Sequence, residues 1–358
     1  MEYLLFVFEF LLDQFSKKIK LPKNILIVRI DNLGDVCTSL PSIYLLNKKF
    51  PNAKIEILAN ESLHKLLIGF KFINDVFPYE KLGKTVWNKT INFFHLLRER
   101  RCLWLLALRE NYLLFLTSLP FIFRFRRFSR GSTRILYKFH RIKQPHEVDS
   151  CIKTLFPSLA KVSWNHQGII SYFNFDLENM DCNLKKIITS KKCLLILPGA
   201  GWIYRKWPRD YFVSFIRLIS AQIDYCLLAG DIEDREDCNY IQNKLKSTNI
   251  KVINLVNKLN LRQLAYLMHM GWLVLCNDSG PMHLASLFNA RLFALFGPQD
   301  PRRFGPWSTR SHYFLAPTRE CWPCKQKECK TPNNPCIYDI KPEMLINKFK
   351  NENNSDIS

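Results

Sequence analysis

A doubly wound α/β architecture, built as two Rossmann-like domains in tandem, is what this sequence predicts. Three observations carry that expectation. First, short apolar, β-rich runs such as NILIVRI (24–30) and CLLILPGAG (193–201) alternate with longer segments that can be helical. Near-continuous apolar strands separated by crossovers indicate a parallel sheet covered on both faces. Second, this series weakens over the polar stretch 165–190 and restarts at Cys193, which divides the chain into two halves. Third, the composition is 47% hydrophobic and 23% charged, which excludes a disordered, collagen-like or coiled-coil chain. The 358 residues suffice for two domains of roughly 150 residues each. Such a chain buries about three quarters of its unfolded surface, so its core needs no covalent staples.

In the first half, NILIVRI precedes a helix expected from about Asp35 to Phe50, followed by AKIEIL (53–58), INDVFPY, CLWLLAL (102–108) and FIFRFRRF. In the second half, IDYCLLAGD (223–231), KVINLV (251–256), GWLVLCND (271–278) and ARLFALFG (290–297) continue from CLLILPGAG. The expected boundaries are an N-terminal amphipathic segment 1–23, domain 24–170, linker 171–190, domain 191–340 with a Cys-rich tail, and a C-terminal helix and tail 341–358. Two such domains are expected to face a central cleft. In open α/β sheets ligands bind beyond the carboxyl ends of the strands, so the strand-end loops are where chemistry is sought.

No apolar run reaches the roughly 18 uncharged residues of a membrane-spanning helix, since Leu103–Phe123 is broken by Arg109 and Glu110. The N-terminal MEYLLFVFEFLLDQF lacks the basic start and small-residue cleavage site of a signal peptide. It reads as an amphipathic helix, lying either on a lipid surface or on the protein's own core. A reducing cytosol is therefore expected, with most of the twelve cysteines serving as buried small hydrophobes.

The chain carries 52 basic and 31 acidic residues, a net +21. Residues 1–190 hold 29 and 16 of them, against 23 and 15 in the remainder. No acid occurs between Glu110 and Glu147, a gap that contains Arg124, Arg126, Arg127, Arg130 and Arg134 among Phe and Tyr. That field attracts phosphates or an anionic membrane surface; the alternative is a solvated basic face. No nucleic-acid-binding motif accompanies the charge, so nucleic acid is not an expected partner.

Three strand-end loops carry the chemistry. Arg29-Ile30-Asp31-Asn32-Leu33-Gly34-Asp35 follows the first strand. Gly34 permits a tight turn, and Asp35 reads either as a helix N-cap or as a general base at a cleft mouth. Pro198-Gly199-Ala200-Gly201-Trp202-Ile203-Tyr204-Arg205-Lys206-Trp207-Pro208 opens the second half. Tyr204 occupies the third glycine position of a dinucleotide fingerprint, so that reading fails. A cationic loop ahead of a helix start is instead a phosphate site. In Asn277-Asp278-Ser279-Gly280-Pro281-Met282-His283, Asp278 or Ser279 can cap a helix carrying His283. Its amides, hydroxyl and imidazole could converge on a diphosphate, with a structural histidine as the alternative. Gly230-Asp231-Ile232-Glu233 offers carboxylates where a ribose could sit.

Together these segments resemble glycosyltransferase family 9, the bacterial heptosyltransferases of lipopolysaccharide core assembly. IVRIDNLGDVCTSLP, PGAGWIYRKWP and NDSGPMHLASLFNARLFALFGPQDP carry the resemblance, with PHEVDSCIKTL (145–155) and the Cys-rich tail as weaker support. The resemblance implies a GT-B fold, with the acceptor site in the first domain and the nucleotide-sugar site in the second. It makes Asp35 the catalytic base and Lys206 the phosphate-binding lysine, and assigns Asp278, Ser279, Gly280 and His283 to the diphosphate loop. Glu233 and Leu259 match nucleoside contacts. Gly201 and Trp202 stand where the family often carries small hydroxyl residues, a departure that bears on donor identity.

The implied reaction moves a heptose from an ADP-linked donor, with inversion, onto a Kdo- or heptose-bearing lipid acceptor. No metal cofactor is required for it, and no Asp-x-Asp occurs in the chain. The implied setting is a monomer, peripheral on the inner face of the cytoplasmic membrane, with the basic stretch holding the acceptor's anionic groups. The run Cys321-Trp-Pro-Cys324-x4-Cys329-x6-Cys336 leaves three readings open: structural zinc, reduced thiols or disulfides. Competing readings of the whole chain are a basic surface- or nucleic-acid-binding protein, a family member using another nucleotide sugar, and a nicotinamide oxidoreductase. The last lacks the glycine fingerprint.

Overall fold

The computed structural model describes residues 23–99, 104–107, 126–129, 146–155, 164–324, 326 and 328–355. The N-terminal segment up to residue 22 and Arg124, Arg130 and Arg134 lie outside the described residues. The chain divides into two compact units between Asn174 and Phe175.

The first unit is built on β1 (Asn24–Arg29), β2 (Lys54–Ala59), β3 (Asp75–Pro78), β4 (Trp104–Ala107) and β5 (Arg126–Ser129). They form a parallel sheet in the order β3-β2-β1-β4-β5 among the described residues. Its centre is β1, whose Ile27 pairs with Ile57 on one side and Leu106 on the other. Ile25, Leu26, Ile27 and Val28 are all buried, as expected when helices cover both faces. Helix α1 (Leu33–Lys49) follows, buried along most of its length from Gly34 to Leu46 and ending in Lys48 and Lys49, which complement the helix dipole. Pro41 inside α1 removes one helical N–H. Nearby, the Thr38, Ser39 and Ser42 hydroxyls donate to carbonyls of the preceding turn, at 2.8, 2.7 and 2.7 Å.

A short α2 (His64–Leu67), then α3 (Val86–Glu99) and α4 (Glu147–Leu155), complete the layers, with α4 packed on α1. Arg126 and Arg127 of the basic stretch contribute backbone to β5, paired with Trp104 and Leu105. A bridge between Phe70 and Phe173 ties the end of the unit, after α5 (His166–Ile170), back to its body. The ordered segment before Cys193 contains helix α6 (Cys182–Ser190), capped by the Asp181 carboxylate on the Leu184 amide at 2.7 Å. The stretch read from sequence as a linker is thus largely turns and helix. Its polar composition reflects solvated helix faces.

The second unit carries β6 (Cys193–Leu197), β7 (Tyr225–Leu228), β8 (Lys251–Asn254), β9 (Leu273–Asn277), β10 (Leu292–Phe296) and β11 (Ser311–Leu315), all parallel, in the order β11-β10-β9-β6-β7-β8. Sequence periodicity located all but β11, whose SHYFL is half-exposed at the sheet edge and lacks a continuous apolar signal. The connecting helices are α7 (Arg209–Leu218), α8 (Arg235–Leu245), α9 (Leu261–Met270), α10 (Gly280–Leu287) and the short α11 (Pro301–Phe304), with α12 (Pro342–Ser355) at the C-terminal end. One core joins sheet residues Leu194, Ile196, Leu275 and Leu295 to Phe212, Phe215 and Ile216 of α7 and to Phe349 of α12. Helix α9 starts with a reciprocal cap, in which the Asn260 side chain accepts from the Gln263 amide at 3.0 Å and Gln263 accepts from the Asn260 amide at 3.1 Å.

Both sheets reverse direction at their first strand. From β1 the order runs outward to β2 and β3, then on the other side to β4 and β5. From β6 it runs to β7 and β8, then on the other side to β9, β10 and β11. A crevice opens at such a reversal because consecutive crossovers leave the two sides of the sheet in opposite directions. The loop after β1 therefore borders the reversal in the first unit, and the loops after β6 and β9 flank the one in the second.

Leu195 is fully buried in β6, whereas Ile232 is 52% exposed. Leu195→Ala is expected to lower the unfolding free energy of the second unit by about 2–5 kcal/mol. Ile232→Ala should change it by no more than about 0.5 kcal/mol. Urea titration followed by tryptophan fluorescence measures both.

Candidate functional site

In the first unit, Arg29 ends β1 with only 1% of its surface exposed. Its guanidinium pairs with Asp31 at 3.0 Å and with Asp35 Oδ1 at 3.5 Å, and Nη2 donates to the Asp35 carbonyl at 2.6 Å. A planar five-donor group suits this work, because it can hold a carboxylate and a carbonyl in one geometry. Asn32, not Asp35, occupies the N-cap position of α1, and Gly34 is helical rather than the pivot of a turn. The capping reading of Asp35 is therefore corrected: it lies in the first helical turn, where the dipole favours its charge. Its side chain is 37% exposed, unlike Asp31 at 4%. Arg29 thus anchors the backbone at Asp35 while the carboxylate keeps contact with solvent.

The second unit brings together most of the residues singled out from sequence. The β6 loop and the β9 loop are stitched by Asn277, fully buried, whose amide donates to the Pro198 carbonyl at 2.7 Å and accepts from the Trp207 amide at 3.1 Å. A second tie is ionic. Arg205 pairs with the Asp278 carboxylate at 3.5 Å, and Nε of Arg205 donates to Gln326 at 2.8 Å. Burial pushes the Asp278 carboxyl up to about 6, against the opposing pull of Arg205. Ser279 takes the N-cap position of α10, but its hydroxyl donates to the Asn277 carbonyl at 3.2 Å instead of capping the helix amides. Gly280 is the first residue of α10, and His283, one turn on, is buried with its ring stacked on Trp307 at 5.4 Å between centroids.

Lys206 is held by two acids that sequence reading did not single out. Its ammonium donates to Asp237 at 3.1 Å and lies 3.8 Å from Asp234. Asp234 closes a capping box with Asp231 at the end of β7, a signal available in the D-x-x-D spacing of Asp231-Ile-Glu-Asp234. Burial, then Asp231, raises the Asp234 carboxyl above its ordinary range, and Lys206 opposes the shift. The Asp234 carboxylate also fills the space where a Cβ on Gly199 or Gly230 would project, so a side chain at either position would push it aside. At Gly201, by contrast, a Cβ would meet nothing within 4 Å. The cationic loop thus borders open space.

Glu233 is exposed after β7 and Leu259 half-buried after β8, each beyond the carboxyl end of its strand. Gly201, Lys206, Glu233, Leu259, Asp278, Ser279, Gly280 and His283 therefore all lie on the loops that leave four adjacent strands, β8-β7-β6-β9, or in the first turn of α10 that follows the last of them.

Cys321, Cys324, Cys329 and Cys336 are thiols arranged around the wall of one cavity. Among the described residues no group of three or more His, Cys, Asp or Glu is placed to hold a metal ion. Cys324 instead accepts from the Gln326 amide at 3.3 Å. The deeper cysteines match the expectation of small core hydrophobes: burial pushes the Cys193 thiol up to about 11 and the Cys238 thiol to about 12. No described helix is long and apolar enough to cross a membrane.

Asp278 binds its proton more tightly in the fold than in the unfolded chain, because burial raises its pKa from 3.8 to about 6. Between those values the native state holds more protons, so this group's contribution to stability falls as pH rises and levels off above about 6. Asp278→Asn is expected to remove that slope. Denaturation midpoints of wild type and variant between pH 4 and 7 measure it.

Comparison with known proteins gives the family. The sequence profile of glycosyltransferase family 9 (heptosyltransferase) matches residues 108–334. Lipooligosaccharide heptosyltransferase 2 of Campylobacter jejuni serotype O:6 is 25% identical over 319 residues, covering 89% of this chain and 95% of that protein. The protein of the same name from serotype O:2 is 34% identical over 162 residues, covering 45% of this chain and 51% of its own length. Among solved structures, E. coli ADP-heptose lps heptosyltransferase II superposes with a TM-score of 0.69 at 20% identity, over 94% of this chain and 100% of the other. That likeness shows the GT-B fold, and the profile match shows the family: this chain belongs to glycosyltransferase family 9, the heptosyltransferases.

Proposed function

We propose that the chain transfers a heptose from an ADP-linked donor, with inversion, to a saccharide acceptor of the lipopolysaccharide core. One observation carries the reading: a cationic loop and a helix start are locked together at the reversal of one parallel sheet, with open space beside Gly201. Such a place favours a diphosphate, because helix amides and side-chain cations act on the same anion. The names of the relatives support a heptose and a lipid-linked acceptor.

The reaction follows from the residue types. Asp35 takes the proton of an acceptor hydroxyl, and that oxygen forms a bond to the anomeric carbon of the donor sugar. The bond from that carbon to the diphosphate breaks on the opposite face, which inverts the configuration, and its electron pair leaves with ADP. Lys206 stabilises the departing charge; an ammonium has three N–H donors, of which Asp237 takes one. The start of α10 at Ser279 and Gly280 adds its dipole, and fixed donors of this kind are each worth roughly 3 kcal/mol. His283, buried against Trp307, shapes the same loop. In this proposal protein cations do the charge stabilisation, and no metal is assigned a step. Glu233 and Leu259 would meet the nucleoside.

The basic stretch that includes Arg124, Arg126, Arg127, Arg130 and Arg134 would hold the acceptor's anionic groups at the inner face of the cytoplasmic membrane, the enzyme acting there as a peripheral monomer. Reversing these five charges to Glu is expected to abolish co-sedimentation with anionic vesicles. Unchanged co-sedimentation would remove the stretch from that role.

Asp35→Asn is expected to lower kcat at least about 1,000-fold while ADP still raises the melting temperature as it does in wild type. Wild-type turnover in this variant would take the base role away from Asp35. A donor panel assayed with purified lipid acceptor separates a heptose from other nucleotide-linked sugars.

A further inference from the structure

A nucleotide sugar is a linear ligand, and the proposed reading lays it along the sheet edge. The nucleoside lies at the β8 and β7 loops and the diphosphate between β6 and β9, so the sugar falls on the side of β10. On that side is a cavity of about 440 Å³, a size within the range of small-ligand sites. Its wall includes Trp202 and Tyr204 of the cationic loop, Pro298 after β10, and Trp322, Cys324 and Cys336 of the Cys-rich tail. Trp202 and Tyr204 meet edge to face, with centroids 5.1 Å apart.

Two features make this a built site. The first is the supply of aromatic faces, against which the C–H face of a pyranose ring packs while its hydroxyls point elsewhere. The second is a polar group without a partner: the Trp322 indole N–H is buried and makes no hydrogen bond among the described residues. A buried donor of this kind costs free energy until an acceptor reaches it, and a sugar oxygen is such an acceptor. The wall's guanidinium is already committed. Arg319 binds Asp339, the Thr331 hydroxyl at 2.8 Å and the Asn334 carbonyl at 2.7 Å, so it serves as a strut for the tail. The tail is tied to the cationic loop through Gln326 and Arg205, which holds the cavity's two sides together.

We propose that this cavity is a saccharide subsite, in which Trp202 and Tyr204 stack the ring and the Trp322 N–H binds one of its oxygens. The assignment rests on the donor reading above. The ring comes either from the donor sugar or from the acceptor, and the same enzyme assay separates the two.

The test uses the full chain with Trp322→Phe, which keeps an aromatic ring but loses the N–H and the fused ring, and Trp322→Ala as the stronger variant. Melting temperature confirms that each is folded. ADP binding to Trp322→Phe should equal that of wild type. The KM of one sugar substrate should rise roughly fivefold, the effect of one neutral hydrogen bond. A rise in the ADP-sugar KM assigns the ring to the donor, and a rise in the acceptor KM assigns it to the acceptor. Unchanged KM values for both substrates, with ADP still binding, overturn the subsite alone. Failure of ADP to bind wild type overturns the donor reading and this assignment with it.

Discussion

The side chain of Asn277 is the point on which the loop cluster of the second unit depends. Residues 70 and more apart in sequence meet there, because parallel pairing of β6 with β9 brings the starts of two separate loops to the same sheet edge. The Asn277 side chain bonds to backbone only, and its bonds to Trp207 and Pro198 are buried. Losing either would strand a polar group at a cost of about 1–3 kcal/mol. The Arg205–Asp278 pair lies directly beside this stitch, so the charge of the site is set on a framework that cannot relax easily. Lys206, held by Asp237 and Asp234, is then offered at a defined place rather than swept through solvent on a flexible stem.

This arrangement has an electrostatic consequence. The loops contain acids as well as bases, so under the proposed reading a diphosphate gains more from Lys206, Arg205 and the helix start than it loses to Asp237 and Asp278. Burial shifts Asp278 toward its neutral form, which reduces that repulsion. The excess positive charge of the whole chain adds long-range attraction for an anionic ligand, though not its position.

Much of this was legible in the sequence for simple reasons. Fully buried parallel strands need continuous apolar runs, so β1, β6, β9 and β10 stand out in the chain. Open α/β sheets bind ligands beyond the carboxyl ends of their strands, which is why Asp35, Lys206 and the Asp278–His283 block are proposed for the site. What escaped notice depended on contacts between distant segments. Nothing local marks Asp237 as the partner of Lys206, Gln326 as the holder of Arg205, or Asn277 as a stitch instead of a strand end. Asp35 was misread as a possible cap because its spacing from the strand suits one; the helix in fact begins two residues earlier, with Asn32 ahead of it. For the four tail cysteines, spacing reports ligand type but not convergence; the structure shows them along a cavity wall.

The central claim is that the loop pair at the β6/β9 reversal binds the diphosphate of a nucleotide. Calorimetric titration of ADP into wild type and Lys206→Gln tests it most directly. The account predicts a Kd weakened roughly tenfold or more in the variant, the loss of one charge-assisted contact. Equal affinity in the two proteins would contradict it.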